Sequence, residues 1–229
     1  MQNKEDLEKQ YIMEQLRLKD KINRANCVNL KELKYIAGVD LAYWEQGETE
    51  YAVCCIVVLD YNTKTVIEQK YFKDQVITPY IPGCLAFREI PLFLKTKELL
   101  EQQPDVYIFD GNGYLHPRHM GVATQAGILM DMPTIGIAKT YYRVHNSNFI
   151  MPTNNAFAFE DIIIEGEIYG RALRTHKNVK PIFLSIGNKI DLDTATKIAI
   201  EQVTKDSHIP LPTRLADIMT HEVRKQFNL

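Results

Sequence analysis

Four acids stand among apolar neighbours, where an isolated charge is expensive. Asp40 lies inside "YIAGVDLAYW" (35–44), Asp110 closes "DVYIFD" (105–110), Glu89 follows Arg88 in "LAFREIPLFL" (85–94), and Asp217 sits in "TRLADIMTHE" (213–222). Each has an ordinary explanation alone: Asp40 can begin a turn, Glu89 can pair with Arg88, and Asp217 can face solvent. Four together are harder to dismiss. Carboxylates from two strands and two helices can converge at one end of a sheet. Such a cluster repels itself and needs cations to persist. Hard oxygen donors select Mg2+, with Mn2+ as its substitute. A two-metal carboxylate site activates a water and stabilises a departing 3′ oxygen in phosphodiester hydrolysis.

A second concentration of chemistry is "IFDGNGYLHPRHMGVATQAG" (108–127). It departs from the P-loop, which needs G-x-x-x-x-G-K-[ST], and from G-x-G-x-x-G, because His116 occupies the last glycine position. His116 and His119 flank Pro117, and no Cys or further His follows at zinc spacing. An Asn-Gly turn accounts for Asn112 and Gly113. It leaves His116, Arg118 and, downstream in "TIGIAKT" (134–140), Lys139 without a role.

The elements that must position these residues follow from pattern. Residues 3–23 are helix-prone; 35–44, 51–60 and 65–72 read as strands joined by short turns, an antiparallel meander. Residues 83–103 are helix-like, with Pro91 expected to end or kink the first part. A short strand at 105–110, a helix from about His119 to Met130 and a strand at 134–140 form a parallel portion. Strand-like runs at 160–166, 167–175 and 180–187 precede two closing helices, the first beginning at an Asp-rich turn that favours its dipole. The expectation is one α/β domain over residues 1–229, a mixed central sheet with antiparallel meander and parallel strands flanked by helices. A first strand carrying an Asp, a helix carrying a Glu and a parallel strand ending in Asp resemble a ribonuclease H-like fold.

Composition narrows the function classes. A formal net charge of -2 removes the argument from a strongly basic surface and leaves local basic patches open. The densest is "GRALRTHKNVK" (170–180), either a solvated hairpin or a backbone contact. Cys27, Cys54, Cys55 and Cys84 include no C-x-x-C pair and read as small buried hydrophobes in a reducing compartment. The charged start lacks a signal-peptide core, and no window approaches the ~18 apolar residues of a membrane helix. The expectation is a soluble cytoplasmic monomer.

"YIAGVDLAYW", "PYIPGCLAFRE", "FDGNGYLHPRHMGVATQAG", "PTIGIAKT", "GRALRT" and "LPTRLAD" occur in that order from about residue 35 to 217, and together they resemble the endonuclease V family, the deoxyinosine 3′ endonucleases. The resemblance implies divalent-metal-dependent cleavage at the second phosphodiester bond 3′ to deaminated adenine, leaving a 3′ hydroxyl and a 5′ phosphate. It matches Asp40, Glu89 and Asp110 to the family's metal acids, and Asp217 to a fourth position where Asp and His alternate. His116 and Lys139 match positions beside the scissile strand, Lys139 as a point charge for phosphate and His116 on a phosphate or the leaving group. "PYIPG" (79–83) matches the family's wedge. Its two prolines stiffen a loop offering Tyr80 and Ile81 to a base stack, with Pro82 and Gly83 beside them; a merely rigid connector is the plainer alternative. A pocket for a rotated-out hypoxanthine needs bare backbone near the base edge. Gly111, Gly113, Gly121 and Gly136 are candidates, with Leu85 against the base and Arg88 and Arg118 nearby; the glycines can equally serve turns or packing.

The chain departs from the family pattern at Cys84, where Phe is usual, at Thr124-Gln125, and at Asn188, where many members have His. No metal acid is lost. Deoxyinosine-containing DNA is the expected substrate, and inosine-containing RNA keeps the same chemistry with a 2′-hydroxyl to recognise.

Overall fold

The computed structural model describes residues 3–227. Alternating and continuous apolar runs give the expected meander: β1 (Tyr35–Gln46), β2 (Thr49–Asp60) and β3 (Val66–Gln75), paired antiparallel. Gly47, at φ 63°, makes the tight turn between the first two. β2 is buried on both faces along most of its length, as its unbroken "AVCCIVVL" requires.

The chain then crosses over. α2 (Ala86–Glu98) leads to β4 (Val106–Asp110), and α3 (Val122–Met130) leads to β5 (Thr134–Ala138). β4 pairs parallel with both β1 and β5. A second antiparallel unit, β6 (Ala158–Ile164), β7 (Glu167–Arg174) and β8 (Ile182–Asn188), joins β5 through β8. The eight-stranded mixed sheet runs β3-β2-β1-β4-β5-β8-β7-β6.

Helices cover both faces. Ile36, Ile108 and Ile135 face α4 (Leu192–Glu201) and α5 (Leu211–Phe227), while Ala37, Val39 and Phe109 face α2 and α3. Phe93 on α2 meets Phe109 and Tyr107 edge-on, with ring centroids 4.9 and 5.8 Å apart; each such pair adds about 1 kcal/mol to its area burial. α1 (Lys4–Lys19) lies outside the α2–α3 layer. It is held by buried Leu18 and Gln15 and by Tyr11, stacked 3.9 Å from Phe87.

Several expectations need correction. α1 ends at Lys19, short of residue 23. α2 runs through Pro91, whose ring sits on the exposed side, where water can satisfy the carbonyl it frees. α3 starts at Val122 because His119 is left-handed (φ 57°), and the helix start is closed by loop carbonyls, with Ala123 N donating to Asn112 O at 3.2 Å. Arg171 and Arg174 do not belong to a solvated basic hairpin. Both are buried in β7: Arg171 pairs with Asp161 and Asp193 at 2.7 Å each, and Arg174 donates to the carbonyls of Pro152, Thr153 and Val179. All four cysteines are free, and Cys27 is exposed rather than buried.

Candidate active site

The parallel pairing of β1 and β4 sets the two strand acids side by side. Val39 is in register with Phe109, so Asp40 and Asp110 follow at equivalent positions on the same face. That face is covered by α5. At Gly38 an added Cβ would stand 2.0 Å from the Pro212 carbonyl, so α5 begins directly on β1. Farther along, α5 delivers Asp217. Oxygen atoms of Asp40, Asp110 and Asp217 all lie within 4.8 Å of one another, the one such trio of acids among the described residues.

The electrostatics match a cation site. Burial and the charges of Asp110 and Asp217 push the Asp40 carboxyl up to about 7. Lys139, just beyond the end of β5, bridges the other two, 2.7 Å from Asp110 Oδ2 and 3.0 Å from Asp217 Oδ1. Burial works against its charge, and the two carboxylates outweigh burial and keep the ammonium protonated. Glu89 comes from α2 on the opposite face and stands outside the close trio. Burial first, then the charge of Asp40, pushes it up to about 8, and Tyr43 Oη donates to it at 3.4 Å. An all-oxygen donor set carrying surplus negative charge fits a hard divalent cation.

The sequence reading missed three residues that serve this site. Thr220 Oγ1 donates to Asp40 Oδ2 at 3.0 Å, holding one carboxylate oxygen and leaving the other free. Its spacing from Asp217, one turn along α5, was the available signal. Tyr43 supports Glu89, and its place on β1 near Asp40 gave only a weak hint of it. Tyr142, parallel to the His116 ring at 6.0 Å, had no signal in the sequence.

One residue past Asp110 a cavity of about 190 Å3 opens, bordered by Tyr80, Leu85, Gly111, His116, Gly121 and Tyr142. Tyr80 is 57% exposed, whereas Ile81 is 1% exposed and packs inward, so the loop of residues 79–83 presents the Tyr80 ring and not the Ile81 side chain. Pro82 is exposed beside it. Gly111 and Gly121 border the cavity; Gly113 and Gly136 do not. An added Cβ at Gly136 would meet Gly113 N at 2.4 Å, and one at Gly113 would meet Ile186 O at 2.2 Å, so these two glycines let β5, β8 and the loop pack backbone on backbone. A larger cavity of about 290 Å3 lies among Arg24, Tyr114, Asp191 and Asp193, and none of the clustered acids borders it.

Three further expected binding residues have partners within the protein. Arg88 is buried, paired at 2.6 Å with Glu50 rather than with Glu89, and bonded to Thr78 O at 3.0 Å. Arg118 donates to Gln15 Oε1 and Gly83 O at 2.5 and 2.8 Å. His116 has both ring nitrogens engaged: Nδ1 accepts from the backbone of Arg118 and Met120, which leaves Nε2–H to donate to Gly83 O at 3.0 Å. Burial, then Arg118, lowers His116 to about 3, so the ring is neutral near pH 7. Asn188 is a staple, accepting from Asn23 N and donating to Gly127 O at 2.9 and 3.0 Å. Gln125 is buried, and its Oε1 has no partner.

Among the described residues, no helix is long and apolar enough to cross a membrane. The endonuclease V family profile matches residues 16–218. Endonuclease V of Bacillus thuringiensis subsp. konkukian is 52% identical over 212 residues, 93% of this chain and 90% of that one. A crystal structure of endonuclease V from Bacillus subtilis superposes with a TM-score of 0.94 at 47% identity, covering 100% of this chain and 94% of the other. That of Ciona intestinalis endonuclease V, in complex with a 24-mer DNA containing an inosine followed by a ribo-adenosine, superposes at 0.85 with 29% identity over 97% of this chain and 99% of its own. With a match over nearly its whole length and an acid cluster beside a cavity, this chain belongs to the endonuclease V family.

Proposed function

We propose that this endonuclease cleaves DNA containing deoxyinosine at the second phosphodiester bond 3′ to the lesion, leaving a 3′ hydroxyl and a 5′ phosphate. The observation that carries the reading is adjacency: Asp110 belongs to the carboxylate trio, and Gly111, the next residue, borders the cavity. A base turned into the cavity brings the strand just 3′ to it to the cluster. Inosine-bearing DNA in the Ciona relative supports the assignment.

Asp40, Asp110 and Asp217 would hold Mg2+, or Mn2+ in its place, and Glu89 on α2, whose carboxyl feels the charges of Asp40 and Asp110, would be the fourth acid of the set. When bound, the cation activates water and stabilises charge on the scissile phosphate. The remaining work belongs to the chain's own groups. Thr220 fixes one oxygen of Asp40. Lys139 keeps a positive charge beside Asp110 and is available to a phosphate oxygen once the carboxylates have another cation. Glu89, raised to about 8 by burial and the charge of Asp40, holds its proton near neutral pH in the metal-free site. Tyr80 stands exposed at the cavity rim to fill the gap left by the base. Leu85 and the glycine backbone at 111 and 121 face the base edge. His116 shapes the wall as a neutral ring. The strand order β3-β2-β1-β4-β5 supports a ribonuclease H-like fold extended by β6–β8 into one domain. A cytoplasmic monomer acting on the genome fits the family.

An inosine-specific endoribonuclease is the second reading. The ribo-adenosine after the inosine in the Ciona complex favours it, since that relative accommodates a ribose there. Labelled strands carrying one inosine, made as DNA and as RNA and offered with Mg2+ or EDTA, separate the two. The proposal expects a Mg2+-dependent cut of DNA at the second bond 3′ to the inosine. Cutting of RNA alone, or equal cutting of undamaged strands, rules it out.

A further inference from the structure

α1 is a solvated helix in which nearly every polar residue faces water, yet Gln15 is fully buried. An amide with no exposure must satisfy a donor and an acceptor inside the protein. Gln15 does so across three segments. Its Oε1 accepts from Arg118 Nε at 2.5 Å, and its Nε2 donates to Gly83 O at 3.0 Å and to Met120 O at 3.4 Å.

Those partners are the two sides of the cavity. Gly83 ends the wedge loop that carries Tyr80, and Met120 precedes Gly121; both line the space. Gly83 is left-handed, at φ 73°, which aims its carbonyl inward. That one oxygen receives hydrogen bonds from Gln15, His116 and Arg118, at 3.0, 3.0 and 2.8 Å. A carbonyl has two lone pairs, so three converging donors leave it little freedom.

Docking of α1 does not account for Gln15. Leu18 is 2% exposed, and Tyr11 stacks on Phe87, so the helix has apolar anchors of its own. We infer that Gln15 is a positioning residue for base recognition: from α1 its amide ties the wedge loop to the loop of residues 116–121 and so sets the width of the cavity between them. The inference rests on reading this cavity as the base pocket.

Two variants test it. Gln15→Glu keeps the side-chain volume and the bond from Arg118 but cannot donate to Gly83 or Met120. Gln15→Leu removes both functions. With inosine-containing single-stranded DNA, KM is expected to rise about tenfold in each while kcat stays within about threefold, as for the loss of one well-made hydrogen bond. The preference for inosine over adenine falls with it. A 2-aminopurine beside the inosine should lose the fluorescence rise that reports an opened stack, and Mn2+ titration should stay at the wild-type affinity. Wild-type KM and fluorescence in Gln15→Glu overturn the inference. So does a fall of more than about 10 °C in melting temperature in both variants, because Gln15 is then a docking residue. If the wild-type enzyme itself cuts inosine and adenine strands alike, the base-pocket reading fails instead.

Discussion

Replacing Asp40 with asparagine should stabilise the metal-free protein while removing its response to Mg2+. Burial and two neighbouring carboxylates hold the Asp40 carboxyl at about 7 in the folded chain, against 3.8 when unfolded. That gap corresponds to about 4 kcal/mol carried by the native state once Asp40 is ionised. The sign follows from proton binding. Between pH ~4 and ~7 the folded chain keeps a proton that the unfolded chain has released, so stability falls as pH rises through that window and levels off above it. The asparagine keeps the acceptor for Thr220 and carries no charge, but its buried amide lacks a partner, which costs about 1–3 kcal/mol. The expected change is a gain of about 1–3 kcal/mol at pH 8 and, with the ionisation penalty absent and the amide cost remaining, a loss of about 1–3 kcal/mol near pH 4. For a chain of 229 residues that is about 2–6 °C in melting temperature. The assay is thermal unfolding in EDTA at about pH 4.5, 6 and 8, repeated with Mg2+. Wild type should gain stability with Mg2+ as a ligand-binding fold does, and Asp40→Asn should not. A variant that melts at or below wild type at pH 8 in EDTA would refute the reasoning, since the strand acids would then not repel each other.

Three further outcomes are expected. Tyr80→Ala should weaken inosine-strand binding about tenfold in fluorescence anisotropy with an unchanged melting temperature, whereas Ile81→Ala, in the core, should cost about 2–4 kcal/mol of stability in urea titrations. Gly136→Ala forces a Cβ to 2.4 Å from the Gly113 nitrogen and should destabilise by about 3 kcal/mol or leave the protein unfolded, read by the same titrations. Arg171→Ala should lower stability by about 2 kcal/mol and leave the salt dependence of DNA binding unchanged, while exposed Lys177 and Lys180 are the residues of that stretch whose removal can reduce its slope, by about 0.9 per phosphate contact.

The strands were legible where side-chain pattern alone decides them. The meander and β4 carry unbroken or alternating apolar runs, and Asp40 and Asp110 stood out because a charge in such a run is costly unless it is paired or bound to a metal. Direction was not legible where chain neighbours part company. Ile81 follows Tyr80 but packs inward, and Arg88 precedes Glu89 but reaches Glu50 on β2. A strand's basic residues read as a surface until the sheet closes over them, which hid the structural roles of Arg171 and Arg174. The partners of His116 were not legible either, since only the fold brings two backbone donors to its Nδ1. Gln15 carried no signal at all, since one glutamine in a charged helix resembles its solvated neighbours until its long-range partners are in place.

Asp40, Asp110 and Asp217 are proposed to hold the catalytic cation together. Anomalous diffraction from crystals soaked in Mn2+ tests it most directly. A manganese peak enclosed by these three carboxylates is expected, with Lys139 Nζ drawn off at least one of its two present partners. A peak elsewhere, or none while Lys139 keeps both bonds, would contradict it.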